Sequence, residues 1–157
     1  MDTEPKVVQK IIQEEGTANL FTEGKNAIFT QNGRGNNWAL GYSDKYKEVQ
    51  GQQLFGADGI DGQDLKLYER VMELLRNKAE RADFYQGTLL FHSLAGGTGS
   101  GLGSRLIEAY RDYFGQSSQP VSVSVWPSMA GETPLQQYNT CLSLATLQEN
   151  ADACLVF

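Results

Sequence analysis

Apolar residues along this chain recur at two spacings, one typical of helices and one typical of strands. Apolar positions at intervals of three or four predict helices over 6–15, 65–81, 102–114 and 138–149. Nearly continuous apolar runs, or alternating Val and Ser, predict strands over 87–94, 121–126 and 153–157. Because these strands and helices alternate with short connections, we expect right-handed βαβ units around a parallel sheet. The predicted fold class is α/β.

The sequence pattern is weaker in the loops and gives less information about how many strands the sheet has. The run over 87–94 is apolar at almost every position, which predicts a strand covered on both faces. Ala27–Thr30 is a candidate short strand, and turn-forming residues predict a loop over Gly33–Tyr42. Three long strands are fewer than the roughly four to six of an ordinary sheet. We therefore expect an incomplete domain, the middle part of a larger one.

Composition limits the classes of function. The chain has 157 residues, the size of one domain, and a formal net charge of −6, which disfavours a nucleic-acid binder. It has no apolar run of the roughly 20 residues that span a bilayer, and its acidic start lacks the apolar stretch of a secretory signal. Cys141 and Cys154 have apolar neighbours, so we expect buried, reduced thiols in a cytosolic protein.

The strongest chemical signal is the sequence Ala-Gly-Gly-Thr-Gly-Ser-Gly over 95–101, between a predicted strand and a predicted helix. Glycines allow close approach of a ligand and positive φ, while N–H groups of the first helical turn favour anions. Thr98 and Ser100 add hydroxyl donors. No Lys follows Gly101, and the last glycine of the dinucleotide fingerprint is missing, so neither of those phosphate motifs is present. The context predicts a phosphate-binding loop; the alternative is a merely flexible turn.

This loop resembles the signature with which the tubulin family binds nucleotide phosphates, with Ala95 in place of its first glycine. Three further segments are similar to that family and follow in the same order: the acidic start over 2–5, Gly-Asn-Asn-Trp-Ala over 35–39, and Tyr-Asn at 138–139. The resemblance covers essentially the whole chain. The start, the glycine-rich sequence and the Trp-Pro pair at 126–127 are most similar to the delta subfamily.

The resemblance implies a role for residues on several sides of a bound nucleotide. Phosphate contacts are implied for Gly35, Asn36, Ala95, Gly96, Gly97, Thr98, Gly99 and Ser100. Asp2 and Glu4 would hold Mg²⁺, for which carboxylate oxygens are suitable ligands, and Glu132 and Gln136 would contact the ribose. From the residues alone, capping of the following helix is the better explanation of Asp2 and Glu4.

The resemblance also implies a Rossmann-like parallel sheet of the family's GTPase domain, present in part over 1–157, with a flexible insertion at 43–63. The implied ligands are GTP or GDP with Mg²⁺. The implied partners are other tubulin subunits or microtubules, in the cytoplasm and cytoskeleton at centrioles or basal bodies, with no nucleic acid and no membrane insertion. The family's first phosphate loop, its guanine-reading residues and its water-activating acidic loop have no counterpart here. We therefore expect binding without efficient hydrolysis by this chain alone.

Two other functions stay open on the sequence. One is a non-functional or interaction-only fragment of such a protein. The other, a Rossmann-like nucleotide enzyme, needs a ribose-binding acid about 20 residues beyond the loop, and 117–123 contains none. His92 has no second metal ligand or nucleophilic partner nearby in sequence, so we expect a structural histidine, and Trp38 and Trp126 are expected to be packing anchors.

Overall fold

A computed structural model of the chain describes residues 5–14, 26–30, 33–43, 67–128 and 133–157. The helices are α1 (Pro5–Gln13), α2 (Trp38–Ser43), α3 (Leu67–Glu80), α4 (Gly103–Phe114) and α5 (Gln136–Asn150). The strands are β1 (Gly87–Ser93), β2 (Gln119–Val125) and β3 (Ala153–Val156). A π-helical turn over Thr98–Leu102 runs directly into α4. In these ranges no helix has both the length and the apolar character needed to cross a membrane.

The three strands form one parallel sheet in the order β1-β2-β3. In its register, Phe91 of β1 lies opposite Val123 of β2, which lies opposite Leu155 of β3. The predicted α/β class and parallel sheet are confirmed, and the ends of the predicted helices and strands differ from the observed ones by at most two residues. Of the predicted insertion at 43–63, all but its first residue lies outside the described residues.

Helix α2 is the main difference from the sequence prediction. The stretch Gly33–Tyr42, predicted as loop, is loop only as far as Asn37, and Trp38 begins a helix. The Asn37 Oδ1 accepts a hydrogen bond from the Ala39 N–H at 2.9 Å, so Asn37 caps this helix. An asparagine immediately before an apolar helical turn is therefore the sequence signal for the start of α2. The turn-forming residues around it favoured a loop prediction instead. In the predicted short strand Ala27–Thr30, only isolated bridge pairings form.

Helices α4 and α5 pack on one face of the sheet. Residues from the end of β1, from α4 and from α5 meet there in a buried cluster of Leu94, Ile107 and Leu147. A second buried cluster joins α3 to α4 and contains Ile28, Leu67, Leu102 and Leu106. Since full burial of one such side chain is worth about 1.5–3 kcal/mol, these clusters hold α4 firmly against the sheet.

The opposite face of the sheet is open to solvent in the described part of the chain. Leu89, Phe91 and Leu155 are 60%, 71% and 56% exposed, and the register places Phe91 and Leu155 on either side of Val123. The prediction of a strand covered on both faces over 87–94 is therefore wrong for the described residues. A continuous apolar run shows that each position is hydrophobic, but it does not identify the segment that covers each face.

Two smaller expectations about packing are also wrong. Cys141 and Cys154 are free thiols, but both are exposed rather than buried. Cys154 lies on β3, the last strand in the sheet order, and Cys141 lies on the solvent-facing side of α5. Trp126 is 50% exposed and is not a packing anchor among the described residues. Apolar neighbours in sequence therefore did not predict burial of Cys141, Cys154 and Trp126.

Candidate functional site

The glycine-rich sequence forms the connection between β1 and α4, and residues 95–101 are called the glycine loop below. Strand β1 ends at Ser93, the backbone bends over 94–96, and the π-helical turn begins at Thr98. The glycine loop thus lies at the carboxyl end of a parallel strand and at the amino end of a helix, as predicted. A first helical turn directs its N–H groups toward its amino end, and the helix dipole favours an anion there.

A tight turn over Arg34–Asn37 lies beside the glycine loop. The Asn37 N–H donates to the Arg34 carbonyl at 3.0 Å, and Gly35 and Asn36 between them have φ values of 54° and 50°. Two successive residues with positive φ are the pattern of a type I′ turn, which favours Gly and Asn. The local sequence therefore explains how Gly35 and Asn36, both predicted phosphate residues, are placed.

Close packing of backbone on backbone explains several of the glycines. A Cβ added at Gly97 would lie 2.8 Å from the Arg34 carbonyl oxygen. One added at Gly101 would overlap the Trp38 carbonyl oxygen, and one added at Gly41 would lie 2.9 Å from a backbone N–H of the π-helical turn. None of the glycines in the glycine loop has a positive φ. The expectation that they supply positive φ is therefore wrong; they allow the tight turn and α2 to reach the loop.

Asn139, at the start of α5, connects the glycine loop to the tight turn. Asn139 is only 3% exposed, and its Oδ1 accepts a hydrogen bond from the Trp38 N–H at 2.9 Å. Its Nδ2 donates to the Asn36 carbonyl and to the Ala95 carbonyl, each at 2.8 Å. One buried amide thus fixes the backbone of the turn, of α2 and of the loop.

Three carbonyl groups of the glycine loop accept hydrogen bonds from side chains. The pairs are Ala95 with Asn139, Gly96 with Ser100, and Gly99 with His92. In a trans peptide the C=O and N–H groups point in opposite directions, and no described peptide bond is cis. The N–H groups of Gly96, Gly97 and Ser100 therefore point away from the side chains that hold the carbonyls. Gly97 is buried and Ser100 is fully buried, so among these three only the N–H of the part-exposed Gly96 is placed to meet a ligand. At Gly96 the loop presents a donor rather than an acceptor, which suits an anion.

Gly96 is part-exposed and lies beside Asn36 of the tight turn. A Cβ added at Gly96 would meet only the Asn36 Oδ1, at 3.8 Å, which is an ordinary contact distance. Asn36 is exposed, so its side-chain amide is accessible from the same side. A part-exposed backbone N–H, a side-chain amide and a helix amino end close together fit a phosphate group.

His92, on β1, supports the glycine loop from the side of the sheet. Its Nδ1 lies 2.7 Å from the Gly99 carbonyl oxygen, and its Nε2 lies 2.9 Å from the Ser122 Oγ and 3.0 Å from the Ser124 Oγ. Burial lowers the pKa of His92 below its ordinary value, although the hydrogen bond to the Gly99 carbonyl acts in the opposite direction. These contacts agree with the predicted structural role.

Helix α2 is anchored to α4 by aromatic and charged side chains. The Trp38 ring stacks on Tyr42 with 4.5 Å between centroids, and its Nε1 donates to the Ser104 Oγ at 3.1 Å. The Tyr42 hydroxyl donates to Glu108 at 2.6 Å, and this hydrogen bond is the main reason that the pKa of Tyr42 is raised. Arg105 pairs with the same carboxylate at 2.9 Å. Trp38 is thus the packing anchor that the sequence predicted.

The structure gives less information about the remaining predicted site residues. Asp2, Glu4 and Glu132 lie outside the described residues. Gln136 is buried, and its Nε2 donates to the Ser128 carbonyl at 3.1 Å, so part of its side chain already has a partner. No cluster of three or more His, Cys, Asp or Glu side chains suited to a metal occurs among the described residues. The magnesium and ribose assignments stay predictions.

Two residues with clear positions at the site were not assigned to it from the sequence. Asn139 was noted only as part of a similar segment, and His92 only as a structural residue. A buried amide can be expected wherever loop carbonyls meet inside a protein, but the sequence does not show which carbonyls those are. The Asn139 and Trp38 contact joins positions 101 residues apart, so no local pattern encodes it.

The fold and the glycine loop together define a parallel α/β protein with a strand–loop–helix connection suited to an anionic ligand. The family model for the GTPase domain of the Tubulin/FtsZ family matches residues 47–157. The chain belongs to the Tubulin/FtsZ family. The family model implies a guanine nucleotide as the ligand, and membership of the tubulin family implies a cytoskeletal protein.

Individual relatives agree with the family assignment. The chain is 33% identical to the tubulin delta chain of Macaca fascicularis and 32% identical to that of Homo sapiens. It is 37% identical to the tubulin beta chain of Cicer arietinum. Each match includes 157 residues, 99% of this chain, but the chain spans only 30% of the length of each relative. The resemblance to tubulins, delta chains included, is confirmed.

Proposed function

We propose that this chain is a GTP-binding segment of a delta-like tubulin protein, with the nucleotide phosphates over the glycine loop. The observation that supports this most directly is the direction of the loop's peptides. Asn139 engages the Ala95 carbonyl, so the N–H of the part-exposed Gly96, which lies beside the exposed Asn36, points the opposite way. This donor is fixed before any ligand arrives, and a preorganised donor binds at a lower entropic cost.

The roles of the individual residues follow from this arrangement. Gly96 would donate its backbone N–H to a phosphate oxygen, and Asn36 would add its side-chain amide. Ser100 is fully buried and its hydroxyl donates to the Gly96 carbonyl, so we assign Ser100 a role in holding the loop rather than the hydroxyl contact first expected. The carboxylates of Asp2 and Glu4 would hold Mg²⁺, and Glu132 and Gln136 would contact the ribose.

The relatives extend the proposal to the whole protein. Because relatives of both the delta and beta kinds are tubulin chains, we infer assembly with other tubulin subunits or microtubules. The delta-like start and glycine loop lead us to propose a role at centrioles or basal bodies. We expect the chain to bind both GTP and GDP.

Equilibrium binding of a fluorescent GTP analogue to the 157-residue chain tests the proposal. We expect GTP and GDP to displace the analogue, with ATP and NAD⁺ much weaker, and chelation of Mg²⁺ to reduce affinity for GTP. Thermal unfolding provides a second readout, because a ligand that binds only the folded state raises the melting temperature as its concentration increases. Preferential displacement by NAD⁺ or ATP would favour a Rossmann-like enzyme and contradict the proposal. Absence of binding would favour an interaction-only fragment.

A further inference from the structure

The Arg105 side chain, on α4, lies between tyrosines of two other helices. Its guanidinium carbon is 5.8 Å from the centroid of the Tyr42 ring and 4.7 Å from the centroid of the Tyr68 ring. A cation within about 6 Å of a ring centroid is attracted to the face of that ring. Tyr42 is the last residue but one of α2, and Tyr68 is the second residue of α3. One side chain of α4 thus contacts the end of α2 and the start of α3.

Hydrogen bonds hold the guanidinium in this position. Arg105 Nη1 donates to Glu108 Oε2 at 2.9 Å, and the same carboxylate oxygen accepts a hydrogen bond from the Tyr42 hydroxyl at 2.6 Å. Arg105 Nη2 donates to the Tyr68 hydroxyl at 3.5 Å. The side chains of Arg105 and Glu108 are only 31% and 32% exposed, so solvent and salt screen this ion pair less than a fully exposed one. The cluster therefore joins α2, α3 and α4 through one cation.

The start and the middle of α2 have partners of their own. The Trp38 N–H donates to the Asn139 Oδ1 at 2.9 Å, and the Trp38 Nε1 donates to the Ser104 Oγ at 3.1 Å. Gly41 packs on the backbone of the π-helical turn, where an added Cβ would be 2.9 Å from a backbone nitrogen. With Tyr42, these contacts hold α2 from its first turn to its last.

Along the chain, residues 44–66 separate α2 from α3. The rings of Tyr42 and Tyr68 nevertheless lie on one guanidinium, so both ends of this stretch are held at one place on α4. We propose that Arg105 joins α2 to α3, so that α2 keeps its place beside the glycine loop whatever sequence occupies 44–66. This stretch is then a position at which the protein can carry added or altered sequence without a change at the glycine loop. This role goes beyond nucleotide binding, because no nucleotide contact is assigned to Arg105 or to either tyrosine.

A double-mutant cycle between Tyr42 and Tyr68 tests the role of Arg105. Both tyrosines are replaced by Leu, singly and together, in the wild type and in Arg105→Met, which keeps an apolar stem but has no guanidinium. In the wild type we expect the double variant's unfolding equilibrium constant to deviate from the product of the single effects by at least about twofold, because the tyrosines share one partner. In Arg105→Met the deviation should disappear. A deviation that persists there, or none in the wild type, would overturn the proposal.

The control cycle combines Tyr42→Leu with Tyr113→Leu. Tyr113 also belongs to α4, lies about two turns beyond Arg105 and packs edge-on against Phe114. Because Tyr42 and Tyr113 have no common partner in the Arg105 cluster, we expect their effects to be independent. An equal deviation in the two cycles would show that general loss of stability, and not Arg105, couples the tyrosines.

Tryptophan fluorescence tests whether α2 keeps its place without the natural sequence at 44–66. Trp126→Phe leaves Trp38 as the one tryptophan of the chain. In this background, residues 44–66 are replaced by about twelve Gly and Ser residues, a flexible linker that spans roughly 20 Å. We expect acrylamide quenching of Trp38 to be unchanged by the linker and to increase when Arg105→Met is added. Increased quenching in the linker variant alone would show that residues 44–66 hold α2, which contradicts the proposal.

GTP binding separates the role of Arg105 from the proposed function. If the wild type binds GTP, the linker variant should bind it within about twofold as tightly, and a loss of about tenfold would overturn the proposal. If the wild type does not bind GTP, the proposed function fails. The Tyr42–Tyr68 cycle and the Trp38 fluorescence need no nucleotide, so they decide the role of Arg105 in either case.

Discussion

Gly96 and Gly101 belong to the same glycine loop but lie in opposite surroundings. A Cβ at Gly101 would overlap the Trp38 carbonyl oxygen and would lie 2.7 Å from the Tyr42 backbone nitrogen. A Cβ at Gly96 would meet only the Asn36 Oδ1, at an ordinary 3.8 Å. Gly101 thus requires the absence of a side chain for packing against α2, whereas Gly96 tolerates a Cβ beside the tight turn.

The difference separates two functions of one short sequence. The inner side of the loop is a backbone-to-backbone contact that holds α2 and the tight turn in place. The outer side is the part-exposed backbone at Gly96, beside the exposed Asn36. Substitutions on the inner side should therefore act on the free energy of unfolding, and substitutions on the outer side should act on ligand affinity.

Gly101→Ala should have the largest effect on stability. The new methyl group would collide with backbone atoms of α2, which cannot move aside as a flexible side chain can. We expect the free energy of unfolding to decrease by about 3 kcal/mol, near the upper part of the range for overpacked positions. Urea unfolding followed by circular dichroism measures this change. A variant as stable as the wild type would show that α2 does not pack against the glycine loop in solution.

Asn139→Ala should have a smaller but still large effect. It removes three hydrogen bonds and leaves the carbonyls of Asn36 and Ala95 without this partner in a buried place. We expect a decrease of about 2 kcal/mol in the free energy of unfolding. Because the turn and the loop lose their common support, GTP affinity should also fall, by about tenfold. Thr146→Ala, on the same helix, removes only a local hydrogen bond to Leu142 and is the control.

For Asn139→Ala, the relation between the two measurements decides the interpretation. If stability falls but the affinity of the folded protein is unchanged, Asn139 contributes to the fold alone. If neither changes more than in Thr146→Ala, the connection between the turn and the loop through Asn139 is wrong.

The sequence predicted those parts of the fold that depend on local patterns. The strand at 87–93, the glycine loop and the helix from Gly103 follow one another along the chain, and each has its own period or composition. The type I′ turn is equally local, since Gly35 and Asn36 are the residues that such a turn favours. These elements place the predicted phosphate residues on two neighbouring backbone segments.

The parts that the sequence did not predict depend on contacts between distant segments. The glycine at 101 is explained by α2, which was itself predicted as loop, and the glycine at 97 by the tight turn over Arg34–Asn37. The Asn139 contact to Trp38 spans 101 positions. The exposed face of the sheet is a similar case. Its apolar residues indicated a covering layer, but whether a layer is present depends on segments other than the strand itself.

Gly96→Ala should have the smallest effect on stability and therefore tests the outer side alone. Since Gly96 does not have a positive φ and its added Cβ would meet no close atom, the free energy of unfolding should change by no more than about 0.5 kcal/mol. The methyl group would nevertheless project toward the Asn36 side chain, into the space proposed for a phosphate. We expect GTP affinity to fall by about tenfold while the urea unfolding curve stays in place.

Gly33→Ala is the control for this last substitution, because a Cβ added at Gly33 meets no atom within 4 Å and Gly33 is not one of the predicted phosphate residues. It should change neither stability nor affinity. If Gly96→Ala binds GTP as tightly as Gly33→Ala does, the phosphates do not lie beside Gly96. The glycine loop would then contribute to this protein only through its inner contacts with α2 and the tight turn.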